Sequence, residues 1–186
     1  MDNHLVRKQL KSKRQILTLN EVKELSFLVQ HRIINDYSLN QLKNIGLYVS
    51  TKNEVSTERL IEYYLKHGKN VYLPKVEGDE INFYLIKKFD DLSRGTFNIL
   101  EPKENCLQLE NVLDVLFVPL VGFDRQLNRL GMGGGYYDRY LANHRLQINK
   151  TIGLAYHFQE CNFNVYAHDM KLDEIITDKE RIISHF

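Results

Sequence analysis

Short apolar segments alternate with amphipathic helical segments along most of this chain, and this alternation restricts the possible folds more than any other feature. Segments of buried-strand type are found at residues 44–50, 70–76, 113–124, 150–156 and 172–178. Helical patterns at residues 56–68 and 136–144 stand between them, and a further strand, residues 80–86, follows a Gly-Asp turn. Strand, helix and strand in repeated order predict a mostly parallel sheet that is covered by helices on both faces.

The first 36 residues are predicted to form two helices. Thr18 and Glu21, in the sequence "TLNE", match a capping box, so the second helix begins there, after a shorter basic one. No apolar run approaches the roughly 20 residues that cross a bilayer. The basic N-terminal segment also lacks the apolar centre of a signal peptide. We therefore expect a soluble, cytoplasmic protein.

Charge and composition argue against several classes of function. The chain has 186 residues, a length that suits one domain, and its 25 Lys and Arg against 24 Asp and Glu give no general attraction to nucleic acid or membrane. The seven histidines do not show a zinc-binding spacing. Cys106 and Cys161 are far apart in sequence, which predicts two reduced thiols, although a catalytic cysteine stays open as the alternative.

The stretch "RLGMGGGYYDRYL", residues 129–141, places four glycines within five residues, between a buried strand and a helix. It is neither a Walker A sequence nor a GxGxxG motif. Glycines still let backbone N–H groups approach an anion, and a helix N-terminus favours negative charge there. Arg125, Arg129 and Arg139 flank the loop, so its composition favours a phosphate site over a flexible surface turn. Asp138 either complements the helix dipole or holds Mg²⁺ against a phosphate.

The sequence "NRLGMGGGYYDRYL" resembles the signature of the 5-formyltetrahydrofolate cyclo-ligase family, whose members are also called methenyltetrahydrofolate synthetases. Other matching segments are "YVSTKNEVST", "YLPKV", "RGTFNILEP", "VPLVGFD" and "DMKLDEIITD". The resemblance implies an α/β fold, a single three-layer α/β/α domain over residues 1–186. It also implies an enzyme that uses ATP and Mg²⁺ to convert 5-formyltetrahydrofolate to 5,10-methenyltetrahydrofolate, releasing ADP and phosphate.

The same resemblance assigns roles to individual residues. For ATP it implies contacts from Arg7, Lys8, Lys11, Arg129, Leu130, Gly131, Met132, Gly133, Gly134, Gly135, Tyr136 and Tyr137. For the folate it implies contacts from Lys11, Val49, Glu54, Phe97, Met132, Gly133, Gly134, Gly135 and Tyr136. For Mg²⁺ it implies Asp138 and Asp169 as ligands. The family usually has arginine where this chain has Lys11, and lysine keeps the charge but loses the guanidinium fork. No nucleophilic side chain is expected, because phosphoryl transfer depends on positioning and charge neutralisation.

Two alternative functions stay compatible with the sequence. One is an enzyme of related fold that acts on a sugar phosphate or a CoA ester, and the other is a non-enzymatic nucleotide- or RNA-binding module. The balanced net charge and the lack of an RNA-binding aromatic motif count against the second. Purely structural roles also stay open for Glu54, Tyr136, Tyr137, Asp169 and the basic N-terminal residues. We expect a monomer whose partners are ATP and the folate, with neither nucleic acid nor membrane among them.

Overall fold

A computed structural model of the protein describes residues 2–37 and 41–184. Its α-helices are α1 (Asn3–Gln15), α2 (Leu19–Asp36), α3 (Glu58–Lys66) and α4 (Tyr136–His144). Its strands are β1 (Asn44–Gly46), β2 (Asn70–Glu77), β3 (Glu80–Ile86), β4 (Leu92–Arg94), β5 (Leu100–Pro102), β6 (Val115–Pro119), β7 (Gly122–Phe123), β8 (Arg129–Leu130), β9 (Thr151–Leu154), β10 (Glu174–Ile176) and β11 (Arg181–Ile183). Within the described ranges, no helix has the length and apolar character needed to cross a membrane.

Seven strands form one sheet in the order β11, β10, β9, β6, β1, β2, β3. Neighbours from β10 to β2 pair in parallel, whereas β11 and β3 join the two edges in antiparallel orientation. The prediction of a mostly parallel sheet is therefore confirmed. Two further antiparallel pairs, β4 with β5 and β7 with β8, lie outside this sheet.

Side chains that alternate along the central strands bury both faces of the sheet. In β6, Val115 and Phe117 belong to the apolar cluster that includes residues of α2 and α3. Leu116 and Val118 belong to the second cluster, which includes residues of α4. Helices thus cover both faces, and the three-layer α/β/α architecture is confirmed.

The two N-terminal helices have different positions. At the start of α2, Thr18 and Glu21 form the predicted capping box. Helix α1 packs elsewhere: its Val6 and Leu10 lie in a small cluster with Val121, which precedes β7, and with Leu130 of β8. Because β8 leads directly into the glycine loop, this packing holds the basic helix beside that loop.

The apolar segment at residues 113–124 does not form the single strand that its sequence predicts. Strand β6 ends at Pro119, whose carbonyl accepts a hydrogen bond from Arg129 Nη1 at 3.2 Å. The chain then turns into β7 and returns through β8. Proline has no N–H group to continue the sheet, so Pro119 is itself a local signal for the end of the strand, and its carbonyl accepts a hydrogen bond from a residue ten positions later.

The other differences concern short elements. The segments at residues 44–50 and 172–178 contribute only three sheet residues each, in β1 and β10. After β1 the chain remains close to β2, since the Leu47 N–H still donates to the Tyr72 carbonyl at 3.0 Å. Strands β4, β5 and β11 were not predicted, because three residues are too few to show an alternating pattern.

Candidate active site

The glycine loop, residues 131–135, joins β8 to α4 beyond the carboxyl ends of the parallel strands, which is where open α/β sheets bind ligands. A cavity lies on each side of it. What we call the apolar cavity has among its lining residues Val49, Pro74, Val76, Ile81, Met132 and Tyr136. What we call the arginine cavity has among its lining residues Arg7, Arg129, Asp138, Arg139, Tyr166 and Asp169.

The backbone of the loop requires glycine at two positions in particular. Gly133 has φ of +109° and Gly135 has φ of +70°, a region of backbone conformation that other residues rarely adopt. Gly135 also precedes α4, and no side chain caps this helix. The first N–H groups of α4 therefore keep their capacity to bind an anion in the adjoining cavity.

Helix α1 contributes a cation to this loop. Arg7 Nε donates a hydrogen bond to the Gly131 carbonyl at 2.8 Å, and the Arg7 side chain lines the arginine cavity. Lys8 is exposed and Lys11 is half-buried, and neither lines either cavity. The structure therefore brings Arg7 into the site but leaves Lys8 and Lys11 at its periphery.

Arg129 and Asp138 form an ion pair on the boundary between the two cavities, with 2.9 Å between Arg129 Nη2 and Asp138 Oδ2. The Arg129 side chain is only 4% exposed. The other carboxylate oxygen, Asp138 Oδ1, is buried and has no hydrogen-bond partner within the described ranges. A buried carboxylate oxygen without a donor suits a bound cation.

Asp169 lies in the arginine cavity with Asp138, although 31 positions separate the two residues in sequence. Its Oδ2 accepts a hydrogen bond from the Tyr166 N–H at 2.8 Å, and its side chain is 18% exposed. Asp169 thus closes a turn, the structural role left open by the sequence, and still presents its carboxylate to the cavity that Asp138 lines.

Two neighbouring tyrosines at the start of α4 extend from the loop into the apolar cavity. Arg139 lies over the Tyr136 ring at 5.1 Å, and Arg129 lies 5.7 Å from the Tyr137 ring centre. Burial raises the pKa of Tyr137 well above its ordinary value, so this phenol stays neutral. Both rings also contact the core cluster on the α4 side of the sheet. Tyr136 and Tyr137 can therefore pack in the core and also line a binding site.

Phe97 differs from the other predicted folate residues. Its side chain lines neither cavity and is 70% exposed, and its φ is +56°. The ring stands edge-on to Tyr136, with 6.3 Å between the ring centres. Phe97 therefore lies next to the apolar cavity without forming part of its wall.

Glu54 lines the apolar cavity and is buried, as a folate-binding role requires. Its Oε2 accepts a hydrogen bond from the Thr51 N–H at 2.8 Å, and its Oε1 lies 3.9 Å from Arg14 Nη1. Arg14 was not identified from the sequence. It follows Arg7 by seven positions, so helical spacing places both arginines on the same side of α1, and that spacing could have revealed it.

Sequence reasoning also missed several lining residues that come from outside the glycine motif. Pro74, Val76, Ile81 and Glu101 line the apolar cavity from β2, β3 and β5, and Tyr166 and His168 line the arginine cavity. Most of them lie in or beside the family-like segments "YLPKV", "RGTFNILEP" and "DMKLDEIITD", but the resemblance assigned them no role. The pairing and packing of the strands and the path of the chain bring them to the site.

Three other features lie away from both cavities. Arg125, expected near the loop, instead binds Glu160 and Glu180 at 2.8 and 2.7 Å. These two carboxylates and His157 have potential metal-binding atoms within 4.8 Å of one another, but Arg125 already pairs with both acids.

Cys106 and Cys161 are free thiols that line neither cavity, and burial raises the pKa of the Cys161 thiol. The site therefore provides no cysteine nucleophile from these two positions.

Known proteins share both the sequence and the fold of this chain. The sequence model of the 5-formyltetrahydrofolate cyclo-ligase family matches residues 1–178. The 5-formyltetrahydrofolate cyclo-ligase of Haemophilus influenzae is 38% identical over 178 residues, which cover 92% of this chain and 95% of that protein. The enzyme of the same name from Mus musculus is 31% identical over 184 residues, covering 92% of this chain and 91% of that protein.

Two solved structures are similar over nearly the whole chain. The NMR structure of Aquifex aeolicus 5,10-methenyltetrahydrofolate synthetase has a TM-score of 0.86 and 34% identity, covering 98% of this chain and 93% of that one. The 5,10-methenyltetrahydrofolate synthetase from Mycoplasma pneumoniae has a TM-score of 0.75 and 34% identity, covering 96% of this chain and 99% of that one.

Proposed function

The chain belongs to the 5-formyltetrahydrofolate cyclo-ligase family, and we propose that its two cavities divide the two substrates of this ATP-dependent reaction between them. The arginine cavity takes the ATP phosphates, which meet Arg7, Arg129 and the N-terminus of α4. The apolar cavity takes the flat pteridine ring against Val49, Met132 and other apolar side chains. Membership of this family argues against the alternative functions, which were a sugar-phosphate or CoA-ester enzyme and a non-enzymatic binding module.

In the reaction, the formyl oxygen of 5-formyltetrahydrofolate attacks the γ-phosphorus of ATP, and ADP leaves. The N10 amine then attacks the activated formyl carbon to form the new C–N bond. Phosphate departs with the former formyl oxygen, N10 loses its proton, and 5,10-methenyltetrahydrofolate results. The glycine loop borders both cavities, so it holds the γ-phosphate next to the formyl group, and catalysis comes from positioning and charge neutralisation.

Mg²⁺ fits the acidic residues of the arginine cavity. The donor-free Oδ1 of Asp138 and the carboxylate of Asp169 are hard oxygen ligands of the kind that Mg²⁺ prefers. Bound there, the ion neutralises phosphate charge. Arg129 fixes the orientation of Asp138 through their ion pair, which leaves Oδ1 directed away from the guanidinium partner.

The remaining site assignments are part of the same proposal. Lys8 and Lys11 supply positive charge to the ATP phosphates or to the glutamate tail of the folate from the edge of the site, and Phe97 covers the pteridine next to Tyr136. We also propose that residues 1–186 form one domain and act as a monomer in the cytoplasm, with no nucleic acid or membrane partner. The formal net charge of +1 and the balanced composition are consistent with this proposal.

One observation carries the proposed function: a glycine loop with an arginine-rich cavity on one side and an apolar cavity on the other. The test is to mix the protein with ATP, Mg²⁺ and 5-formyltetrahydrofolate and to follow the absorbance of the methenyl product. We expect product only when all three are present. Product formation without ATP, or no product from folded protein with all three, would contradict the proposal.

A further inference from the structure

Glu101, on β5, differs from the other acids that line the apolar cavity. Asp138 pairs with Arg129, and Glu54 lies near Arg14. Glu101 is only 6% exposed, yet within the described ranges it makes no ion pair within 4 Å. Because burial of an unpaired charge is costly, a buried carboxylate of this kind needs a specific explanation.

The hydrogen bonds of Glu101 are also incomplete. The hydrogen bond found for it comes from the Val76 N–H and is long, at 3.4 Å. A carboxylate can accept about four hydrogen bonds. The nearby ammonium group of Lys75 is engaged by Glu104. Glu101 therefore has most of its accepting capacity unused on the wall of a cavity.

The Glu101 carboxylate lies against Gly95, where there is no room for a side chain. A Cβ built on Gly95 would lie 2.1 Å from Glu101 Oε2, which no real structure tolerates, so a residue other than glycine would displace the acid. Glu101 lines the apolar cavity together with Val76, Ile99 and Leu100, and it also lines a neighbouring polar pocket together with Gly95 and Lys75. The hairpin formed by β4 and β5 thus holds this carboxylate at the boundary between the apolar cavity and the polar pocket.

We propose that Glu101 is a substrate-binding residue whose carboxylate accepts a hydrogen bond from an N–H group of the pteridine ring. The inference rests on the proposed placement of the folate in the apolar cavity. The reduced pteridine carries N–H donors on its amino group, N3 and N8, and each loses water when the ring enters. Glu54 is already engaged by Thr51 and Arg14, so it cannot satisfy all of these donors alone.

These donors are remote from the formyl group and N10, where bonds change. Their contact with Glu101 is therefore of similar strength in the ground state and the transition state, so its loss raises KM and leaves kcat nearly unchanged. For Glu101→Leu we expect the KM for 5-formyltetrahydrofolate to rise by roughly tenfold or more, as for a lost hydrogen bond to a charged group. For Glu101→Gln, which keeps one acceptor oxygen, we expect a smaller rise. The KM for ATP should stay within about twofold in both variants.

The matched controls are Glu110→Leu and Glu110→Gln, at an exposed side chain nine positions away that lines neither cavity. Both should retain the native constants. If Glu101→Leu does not fold, Glu101→Gln decides, together with the affinity for 5-formyltetrahydrofolate measured by calorimetry without ATP.

An unchanged folate KM and affinity in folded variants would overturn the inference. So would equal losses for ATP and folate together with a lower Tm, since that result indicates a structural role for Glu101. Failure of the native protein to turn over would instead refute the proposed function itself.

Discussion

Individual glycines of the loop face different surroundings, and their substitutions should separate the two binding sites. A Cβ on Gly133 would have Arg7 as its nearest neighbour, at 3.9 Å, on the side of the arginine cavity. A Cβ on Gly134 would lie 3.0 Å from the Tyr136 ring, on the side of the apolar cavity. Only Gly133 of these two has a positive φ.

We therefore predict that Gly133→Ala weakens ATP binding by at least about tenfold, because the backbone strain amounts to roughly 1–3 kcal/mol and distorts the phosphate-binding segment. Gly134→Ala, the matched control, should affect folate binding more than ATP binding, since it displaces Tyr136. Titration of each variant with ATP and with 5-formyltetrahydrofolate measures both effects. Native ATP affinity in a folded Gly133→Ala protein would show that the loop does not contact the phosphates.

Asp138→Asn gives the sharpest test of the metal proposal. The amide oxygen can still accept from Arg129, so the local structure is preserved, but the anionic ligand for Mg²⁺ is lost. We expect kcat to fall by about a hundredfold and the Mg²⁺ concentration required for half-maximal rate to rise, with little change in the folate KM. The measurement is a rate titration in Mg²⁺ at saturating ATP. Full recovery of the rate at high folate concentration would count against a metal role.

At the scale of elements, α1 is the clearest case of a segment whose position decides its function. Arg7, Lys11 and Arg14 recur at spacings of four and three residues, so they share one side of the helix. Arg7 reaches the glycine loop and Arg14 lies near Glu54. Lys11 lies between them in sequence, half-buried but outside both cavities.

From this placement we predict that Lys11→Ala weakens ATP or folate binding by more than roughly tenfold, or about 1.4 kcal/mol, with little change in Tm. Lys11→Arg should keep or improve activity, because it restores the residue usual in the family. Lys13→Ala, at an exposed position of the same helix, is the control and should behave like the native protein. If Lys11→Ala has native Michaelis constants and rate, the basic side of α1 is structural at this position.

The sequence predicts an element well when the element carries its own pattern. The capping box at Thr18 and Glu21 and the long strands β2 and β3 were predicted because neighbouring residues specify them. The end of β6 was not predicted, although Pro119 marks it locally because proline has no N–H group for the sheet. The same distinction applies to the site: the loop carries its own glycine pattern, whereas Glu101 reaches the apolar cavity because the β4–β5 hairpin packs against β2, which no local pattern specifies.

At the scale of the whole molecule, the two apolar layers bury several tyrosines, and this has a consequence for stability at high pH. Burial raises the pKa of Tyr140 to about 12, and it raises the pKa values of Tyr48 and Tyr156 as well. An unfolded tyrosine has a pKa near 10. Below that pH the tyrosine side chains are neutral in both the folded and the unfolded protein. Above it the unfolded chain loses protons that the folded protein retains, so the free energy of unfolding falls as pH rises.

Tyr140 allows this effect to be measured at one position, because burial is the cause of its raised pKa and its side chain is 6% exposed. Between pH 10 and about 12, its contribution to the loss approaches about 1.4 kcal/mol per pH unit. Tyr140→Phe cannot ionise, so its free energy of unfolding should fall by about 1 kcal/mol less than that of the native protein between pH 9 and 11. Denaturant unfolding at each pH gives the two curves. Tyr166→Phe, at a 51% exposed position, is the control and should follow the native curve. Parallel curves for Tyr140→Phe and the native protein would mean that Tyr140 ionises equally easily in the folded and unfolded states, which contradicts its burial against Phe83 in the core of the α4 layer.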